Sequence, residues 1–225
     1  NALYNIVDQI FIGQGVGYLG NAATNVIFPL TVIVIAFSLL VGDGAAAYLS
    51  LKLGEGRKDQ AQRGVGNAVT LLVIFGAAFL LLGIFFLDPL AHLFGATENS
   101  LPYALDYGRI IILGFPFVVI GTGLNSCIRA EGSPKVAMIS MIAGAVVNTI
   151  LDPVFIFVLG MGVRGAALAT VLSQAVGAIW ILRFLTGKKT ILRLTKENMR
   201  LEVRVFGPCL ALGISKFVML STESL

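Results

Sequence analysis

The chain has 225 residues, of which 57% are hydrophobic and only 12% are charged. Soluble domains carry about 25% charged residues, so this composition excludes a soluble globular protein and indicates a membrane protein with several spans. The net charge of +4 does not call for nucleic acid as a partner, because the cations are confined to a few breaks between apolar runs.

Apolar runs bounded by Gly, Pro or charged residues predict an all-α, polytopic membrane protein with seven helical segments. The first segment is shorter than the roughly 20 residues that a span requires, and the last ends within its apolar run. We therefore expect a fragment of a longer protein in which helix 1 is truncated. The segments span residues 1–13, 24–51, 64–87, 102–127, 135–159, 164–185 and 203–225.

The positive charges predict the orientation of these helices. Of the 16 Lys and Arg residues, 13 lie in or beside the second, fourth and sixth breaks. Arg164 is the one cation in the opposite breaks, and Arg109 and Lys216 lie inside predicted helices. By the positive-inside rule, the second, fourth and sixth breaks are cytoplasmic. We expect a multi-pass protein of the cell membrane, of the prokaryotic inner-membrane type, with the lipid bilayer as its surroundings.

The most informative residue is Asp152, which lies in the apolar stretch AGAVVNTILDPVFIFVLG with no Lys or Arg within ten residues. A carboxylate at such a depth costs about 2.5–3.5 kcal/mol on insertion scales, so it indicates a functional site. Asn148 precedes it by four residues and shares its helix face. Pro153 lacks an N–H, which leaves the carbonyl of Thr149 without its helical partner.

Two further polar residues are expected at a similar depth in the outer half of the membrane. With 1.5 Å of rise per residue, Asp8 lies roughly 9 Å, Asp152 roughly 12 Å and Thr170 roughly 9 Å from the outer helix ends. Three helices therefore bring polar groups to one level. Their oxygens suit a small hard cation, whereas Asp152 alone could carry a proton. The alternative is that Asp152 and Asn148 only hydrogen-bond neighbouring helices, and that Thr170 is an ordinary small residue of a packed helix.

Other polar residues have weaker signals. Asp43 is expected near the cytoplasmic interface as a partly solvated acid. His92, the only histidine, is expected to be solvated, in an outer loop or at the outer interface. Glu223 lies either deep in the membrane or near its outer end, so functional and structural roles stay open. Cys127 and Cys209 lack metal-binding spacing and are expected to be small buried hydrophobes.

An intramembrane enzyme is the alternative from another class. It would require a Ser/His pair, an HExxH metal site or paired aspartates. A single loop histidine excludes the first two, and Asp8 and Asp152 lack the glycine-rich flanks of an aspartate pair. We therefore expect no enzyme activity.

Three motifs carry a resemblance to a known family. The first is the run LYNIVDQIFIG at residues 3–13, and the second is the RAxGxPK motif at 129–135. The third is NxxLDPxFIF at 148–157, followed by GVxGAAxAT at 162–170. Together they resemble helices 1, 4, 5 and 6 of the multidrug and toxic compound extrusion (MATE) family over essentially the whole chain. Asp43 and Lys216 depart from the pattern.

The resemblance implies half of a twelve-helix transporter with two pseudo-twofold lobes. Residues 1–185 would form the N-terminal lobe, 186–202 a cytoplasmic linker and 203–225 the start of the C-terminal lobe, whose remainder would be the partner of this chain. The family binds a coupling cation, Na⁺ or H⁺, with residues that match Asp8, Asn148, Asp152 and Thr170. Glu223 matches a possible additional acid of helix 7. No cofactor besides the ion is implied.

The implied function is export of organic, often cationic, compounds in exchange for Na⁺ or H⁺ by alternating access. A flippase for lipids or lipid-linked oligosaccharides is the second candidate and would have a larger, more cationic central cavity. A channel is the third and would pass current without countertransport.

Overall fold

A computed structural model describes the backbone of residues 2–223 and the side chains of residues 6–215, 217 and 218. This part of the chain is helical, with short turns and one longer connection between elements. A π-helical turn, Val154–Val158, continues α5. The helices are α1 (Ala2–Gly15), α2 (Tyr18–Gly54), α3 (Lys58–Leu93), α4 (Leu101–Ala130), α5 (Pro134–Pro153), α6 (Val163–Thr186) and α7 (Val203–Glu223).

The predicted all-α membrane fold is confirmed, since each predicted segment overlaps one helix and the fifth also includes the π-helical turn. Helices α2 to α6 are each long and apolar enough to cross a membrane. Helix α1 has 14 residues, and the apolar part of α7 among the described residues is Val203–Ser215. Large apolar side chains cover the outside of the bundle; Phe85 and Val158, for example, are 76% and 77% exposed. Such a surface fits lipid, and the chain is a multi-pass membrane protein.

Helices α2 and α3 are longer than predicted at both ends, because they extend into the turn-rich segments; α3, for example, begins at Lys58 instead of residue 64. Helix α2 begins at Tyr18 instead of residue 24, since Gly17 adopts a φ of 84° and completes the turn after α1 within two residues. Helix α3 continues through Pro89 to Leu93, where the missing N–H affects only the last turns. His92 is therefore in the last turn of α3, exposed and 3.0 Å from the carbonyl oxygen of Asp88.

Helix α4 is at the centre of the bundle and packs against α2, α3 and α6. The close approach of α2 and α4 depends on glycines, since a Cβ on Gly42 would overlap the backbone oxygen of Gly123. Helix α5 packs mainly on α6, and α1 lies against α2 and α5. Helix α7 packs on α2. A cavity is left between α1, α2, α4, α5 and α6.

Candidate cation site and its cavity

The structure brings the carboxyl groups of Asp8 and Asp152 together. Asp8 is 7% exposed on α1, and Asp152 is 0% exposed on the last turn of α5. The two carboxyls face each other closely enough for a hydrogen bond if one of them carries a proton. Asp8 Oδ1 and Asp152 Oδ2 are buried without a donor among the described residues. No Lys or Arg of that part of the chain forms an ion pair with either acid.

Asn148 and Thr170 complete this group of polar side chains. Asn148 Nδ2 lies 3.3 Å from Asp152 Oδ1 and 3.5 Å from Thr170 Oγ1. Both residues are buried, with exposures of 1% and 6%. The four residues that the sequence selected are therefore neighbours in space, and the i, i+4 relation of Asn148 and Asp152 holds on one face of α5.

At Pro153 the chain changes from α-helical to π-helical geometry, and the π-helical turn forms part of the contact with α1. The α-helical pattern of α5 ends at Pro153, and the π-helical turn Val154–Val158 follows. Gly15 of α1 lies against this turn, where a Cβ would overlap the Ile156 side chain. Phe11 and Phe157 meet edge to face with their centroids 6.3 Å apart. These contacts begin about one helical turn from Asp8 and hold α1 against α5.

Thr149, which neighbours Asn148, lies outside this group. Its side chain is on the exposed face of α5, and its hydroxyl donates to Ala145 O at 2.9 Å.

A cavity of about 940 Å³ opens beside the carboxyl pair. Asp8 and Thr170 belong to the polar group and also line the cavity. The cavity extends to Arg129, near the C-terminal end of α4. Asp8 and Arg129 are the charged residues of its lining, and the rest is aromatic, aliphatic or neutral polar. A pocket of this size and composition fits a drug-sized organic molecule.

The sequence did not predict the neutral polar residues of this lining. Gln9 Nε2 donates to Thr24 Oγ1 at 2.9 Å and so joins α1 to α2 within the cavity wall. Asn25 and Gln174 also line it. Each of these amides lies inside a predicted span or at its edge, so a search for uncharged polar residues in apolar segments would have found them.

The remaining candidates are separate from the carboxyl pair. Asp43 is half-buried in α2, and its Oδ1 accepts a hydrogen bond from Ser126 Oγ at 2.5 Å. Ser126 Oγ also accepts from Arg129 Nη2 at 3.1 Å. Cys127 and Cys209 are both buried. The side chains of Glu223 and Lys216 lie outside the described residues.

The donor atoms fit a monovalent hard cation or a proton. Two carboxylates, an amide and a hydroxyl offer oxygen ligands, and the unpaired oxygens of Asp8 and Asp152 would gain a partner. The described part of the chain has no group of three or more His, Cys, Asp or Glu residues that could hold a metal.

Replacing Thr170 by Val is expected to weaken the binding of a small cation to this polar group about five- to tenfold, because one hydroxyl is lost without a change of shape. The measurement is titration of the purified complete protein with Na⁺ or with protons. Thr149→Val is the matched control, since this hydroxyl is on the exposed face of the adjacent helix. Equal effects of the two substitutions would contradict a role of Thr170 in binding the ion.

The bundle of spanning helices with a buried acidic group beside a central cavity defines a helical membrane protein with an internal polar site. A family model described as MatE matches residues 1–154. The chain belongs to the MatE family, and the resemblance seen in the sequence is confirmed.

Similar proteins support this assignment over nearly the whole chain. The multidrug export protein MepA of Staphylococcus saprophyticus is 28% identical over 97% of this chain and 49% of its own length. An FAD transporter of Shewanella oneidensis is 34% identical over 77% of this chain and 39% of its own length. A crystal structure of MATE in the bent conformation superimposes with a TM-score of 0.92 at 29% identity, covering 99% of this chain and 50% of that one. The chain spans about half the length of the relatives it matches.

Proposed function

We propose that this chain forms the N-terminal lobe of a secondary antiporter that exports organic, often cationic, compounds in exchange for Na⁺ or H⁺. The observation that carries the proposal is the buried contact between the carboxyls of Asp8 and Asp152. The names of MepA and the FAD transporter describe transport by those proteins. The division into lobe, linker and start of a second lobe belongs to the same proposal.

The carboxyl pair requires a positive partner. Two ionised carboxylates in contact repel each other, and burial strengthens that repulsion because water screens it less. Neither acid is paired with a Lys or Arg in the part of the chain that the structure describes. A proton or a Na⁺ ion therefore stabilises the arrangement, and Asp8, Asn148, Asp152 and Thr170 would supply its oxygen ligands.

The position of Asp8 provides a physical route to exchange. Asp8 belongs to the carboxyl pair and also lines the cavity. An ion bound between Asp8 and Asp152 neutralises the acid that a cationic substrate would otherwise contact. Ion and substrate thus compete for one carboxylate, so entry of the ion from outside favours release of the substrate. A ligand shifts a conformational equilibrium only through such differential binding.

The test is export by Asp152→Asn in the complete transporter, reconstituted in vesicles under an imposed Na⁺ or pH gradient. We expect ion-driven export of a cationic dye to fall at least about 100-fold, because the amide cannot exchange a proton or pair with Na⁺ as a carboxylate does. Asp88→Asn is the matched control, since Asp88 is an exposed acid near the end of α3. Undiminished, gradient-dependent export by Asp152→Asn would disprove the proposal.

The same vesicles separate the alternatives. Gradient-independent movement of a fluorescent lipid would favour a flippase, and current without countertransport would favour a channel. Export of a flavin nucleotide in place of the dye would assign a substrate of the kind named for the Shewanella relative.

A further inference from the structure

The connection between α6 and α7, residues 187–202 and here called the linker, is attached to the six-helix bundle near both of its ends. The first attachment is Glu131, which directly follows α4 and is 8% exposed. Its carboxylate accepts hydrogen bonds from Thr190 Oγ1 at 2.7 Å and from the Ile191 N–H at 2.9 Å. Both carboxylate oxygens are thus used by the linker.

The second attachment is Asn67 of α3, which is 1% exposed. Its Oδ1 accepts from the Glu202 N–H at 2.8 Å, and its Nδ2 donates to Asn198 O at 3.4 Å. Helix α3 approaches the linker closely at Gly66, where an added Cβ would overlap the carbonyl oxygen of Asn198. Thr70 Oγ1 adds a bond to Met199 O at 2.7 Å.

The linker is also packed between these attachments. Leu192 is 0% exposed and belongs to the main hydrophobic core. Gln62 Nε2 donates to Ile191 O at 2.9 Å. A flexible tether would leave its backbone groups in water, whereas here side chains of α3 and Glu131 satisfy several of them. Separating the linker would remove the donor to Asn67 Oδ1 and both donors to the Glu131 carboxylate, while Asn67 Nδ2 would keep its bond to Arg63 O. The loss of these bonds opposes detachment.

Through its hydrogen bond to Glu202, Asn67 holds in place the residue from which α7 begins. Glu202 directly precedes α7, and its carbonyl accepts the N–H groups of Val205 and Phe206 in the first helical turn. Gly207 and Pro208 follow this turn. A Cβ on Gly207 would meet nothing within 4 Å, and Pro208 cannot donate a backbone hydrogen bond, so the helix bends most easily there.

We propose that Asn67 and Glu131 are positioning residues that keep the linker attached to α3 and α4 throughout the transport cycle. The linker and the first turn of α7 then move with the six-helix lobe, and α7 pivots beyond that turn, at Gly207–Pro208. This inference rests on the proposed transport function for its activity measurements and on the hydrogen bonds above for its geometry.

The first experiment tethers the linker to α3. Thr70→Cys and Met199→Cys are combined in the complete transporter and linked with a short, reducible bis-methanethiosulfonate. The native Cys127 and Cys209 are buried and react slowly. We expect cross-linking at the same rate with ion bound and with substrate bound, and export within twofold of the unlinked protein. Failure to cross-link, cross-linking in one state only, or a loss of export restored by reductant would each overturn the proposal.

The second experiment removes the attachments. Asn67→Leu and Glu131→Leu are expected to speed trypsin cleavage after Lys188, Lys189 or Arg193 about tenfold, because an open linker becomes more populated. Maximal export should fall by a similar factor while dye affinity for the cavity stays within twofold. Glu131→Gln keeps one acceptor oxygen and should give a smaller effect. Glu55→Gln is the control, since this exposed acid pairs only with Lys52 and Arg57 among the described residues.

Unchanged cleavage in both Leu variants would disprove the positioning role. Equal losses of dye affinity and export would also disprove it, because they would indicate general damage to the lobe. Cross-linking and cleavage do not require transport, so they distinguish failure of this inference from failure of the proposed antiport. Antiport fails if the unmodified transporter shows no gradient-driven export.

Discussion

Asp8→Asn and Asp152→Asn, introduced separately into the complete transporter, should each reduce gradient-driven export at least about 100-fold, and the double variant should lose no more than either single one. The reason is their direct contact: in the proposed antiport, the two adjacent carboxyls of α1 and α5 act as one binding group. Under this proposal, one acid alone does not hold and exchange the ion once the other is removed. The measurement is the initial rate of dye export as a function of the imposed gradient.

Losses that multiply in the double variant would show two independent sites and contradict this arrangement. Asp106→Asn serves as the control, because Asp106 does not belong to the carboxyl pair. Its carboxylate forms an ion pair with Arg164, with a distance of 3.0 Å between the two groups. Exposed pairs of this kind contribute about 0–1 kcal/mol, so export by this variant should change less than twofold.

Gly44→Ala should destabilise the protein by about 2 kcal/mol, although Ala favours a helix by up to about 1 kcal/mol over Gly. A Cβ at this position would overlap the carbonyl oxygen of Cys209 and lie 3.0 Å from Gly213 N. Both are backbone atoms of α7 that cannot rotate away, so α2 and α7 would have to separate. We expect the apparent melting temperature in detergent to fall by about 5 °C.

Gly54→Ala is the matched control within the same helix. Gly54 is the last residue of α2, and a Cβ added there would meet nothing within 4 Å. The melting temperature of this variant should stay the same or rise slightly. The comparison is made by heating the complete transporter and measuring the fraction that stays monodisperse. Similar melting temperatures for the two variants would contradict the close packing of α2 and α7.

Most of the fold was predictable because hydropathy sets the length and number of spanning helices. The errors occurred at helix ends, where backbone hydrogen bonding extended the helices into segments whose composition predicts turns. Around Gly17 and Pro89 the sequence contains turn-forming residues, yet α2 and α3 include much of these segments. An added helical turn satisfies backbone groups within the chain, which is favoured at a membrane surface.

The four residues of the candidate site were also selected from the sequence, because a buried carboxylate in an apolar span is rare enough to stand out. Depth along each helix then placed Asp8 and Thr170 near Asp152. The polar lining at Gln9 and Gln174 was missed, since a neutral amide gives a weaker signal than an acid. Asn67 and Glu131 were missed because their role depends on a linker far away in the chain.

The sequence by itself determined that this is an all-α membrane protein with several apolar helices long enough to span a bilayer, and it predicted that Asp8, Asp152 and Thr170 share one level. These properties follow from hydrophobicity and from the fixed rise of a helix. Only the tertiary structure decided that the two carboxyls face each other, that Asp8 also lines the cavity, and that the linker is attached to α3 and α4. Rotation of a helix about its axis and the path of a connection depend on side-chain packing between distant segments, which no local pattern encodes.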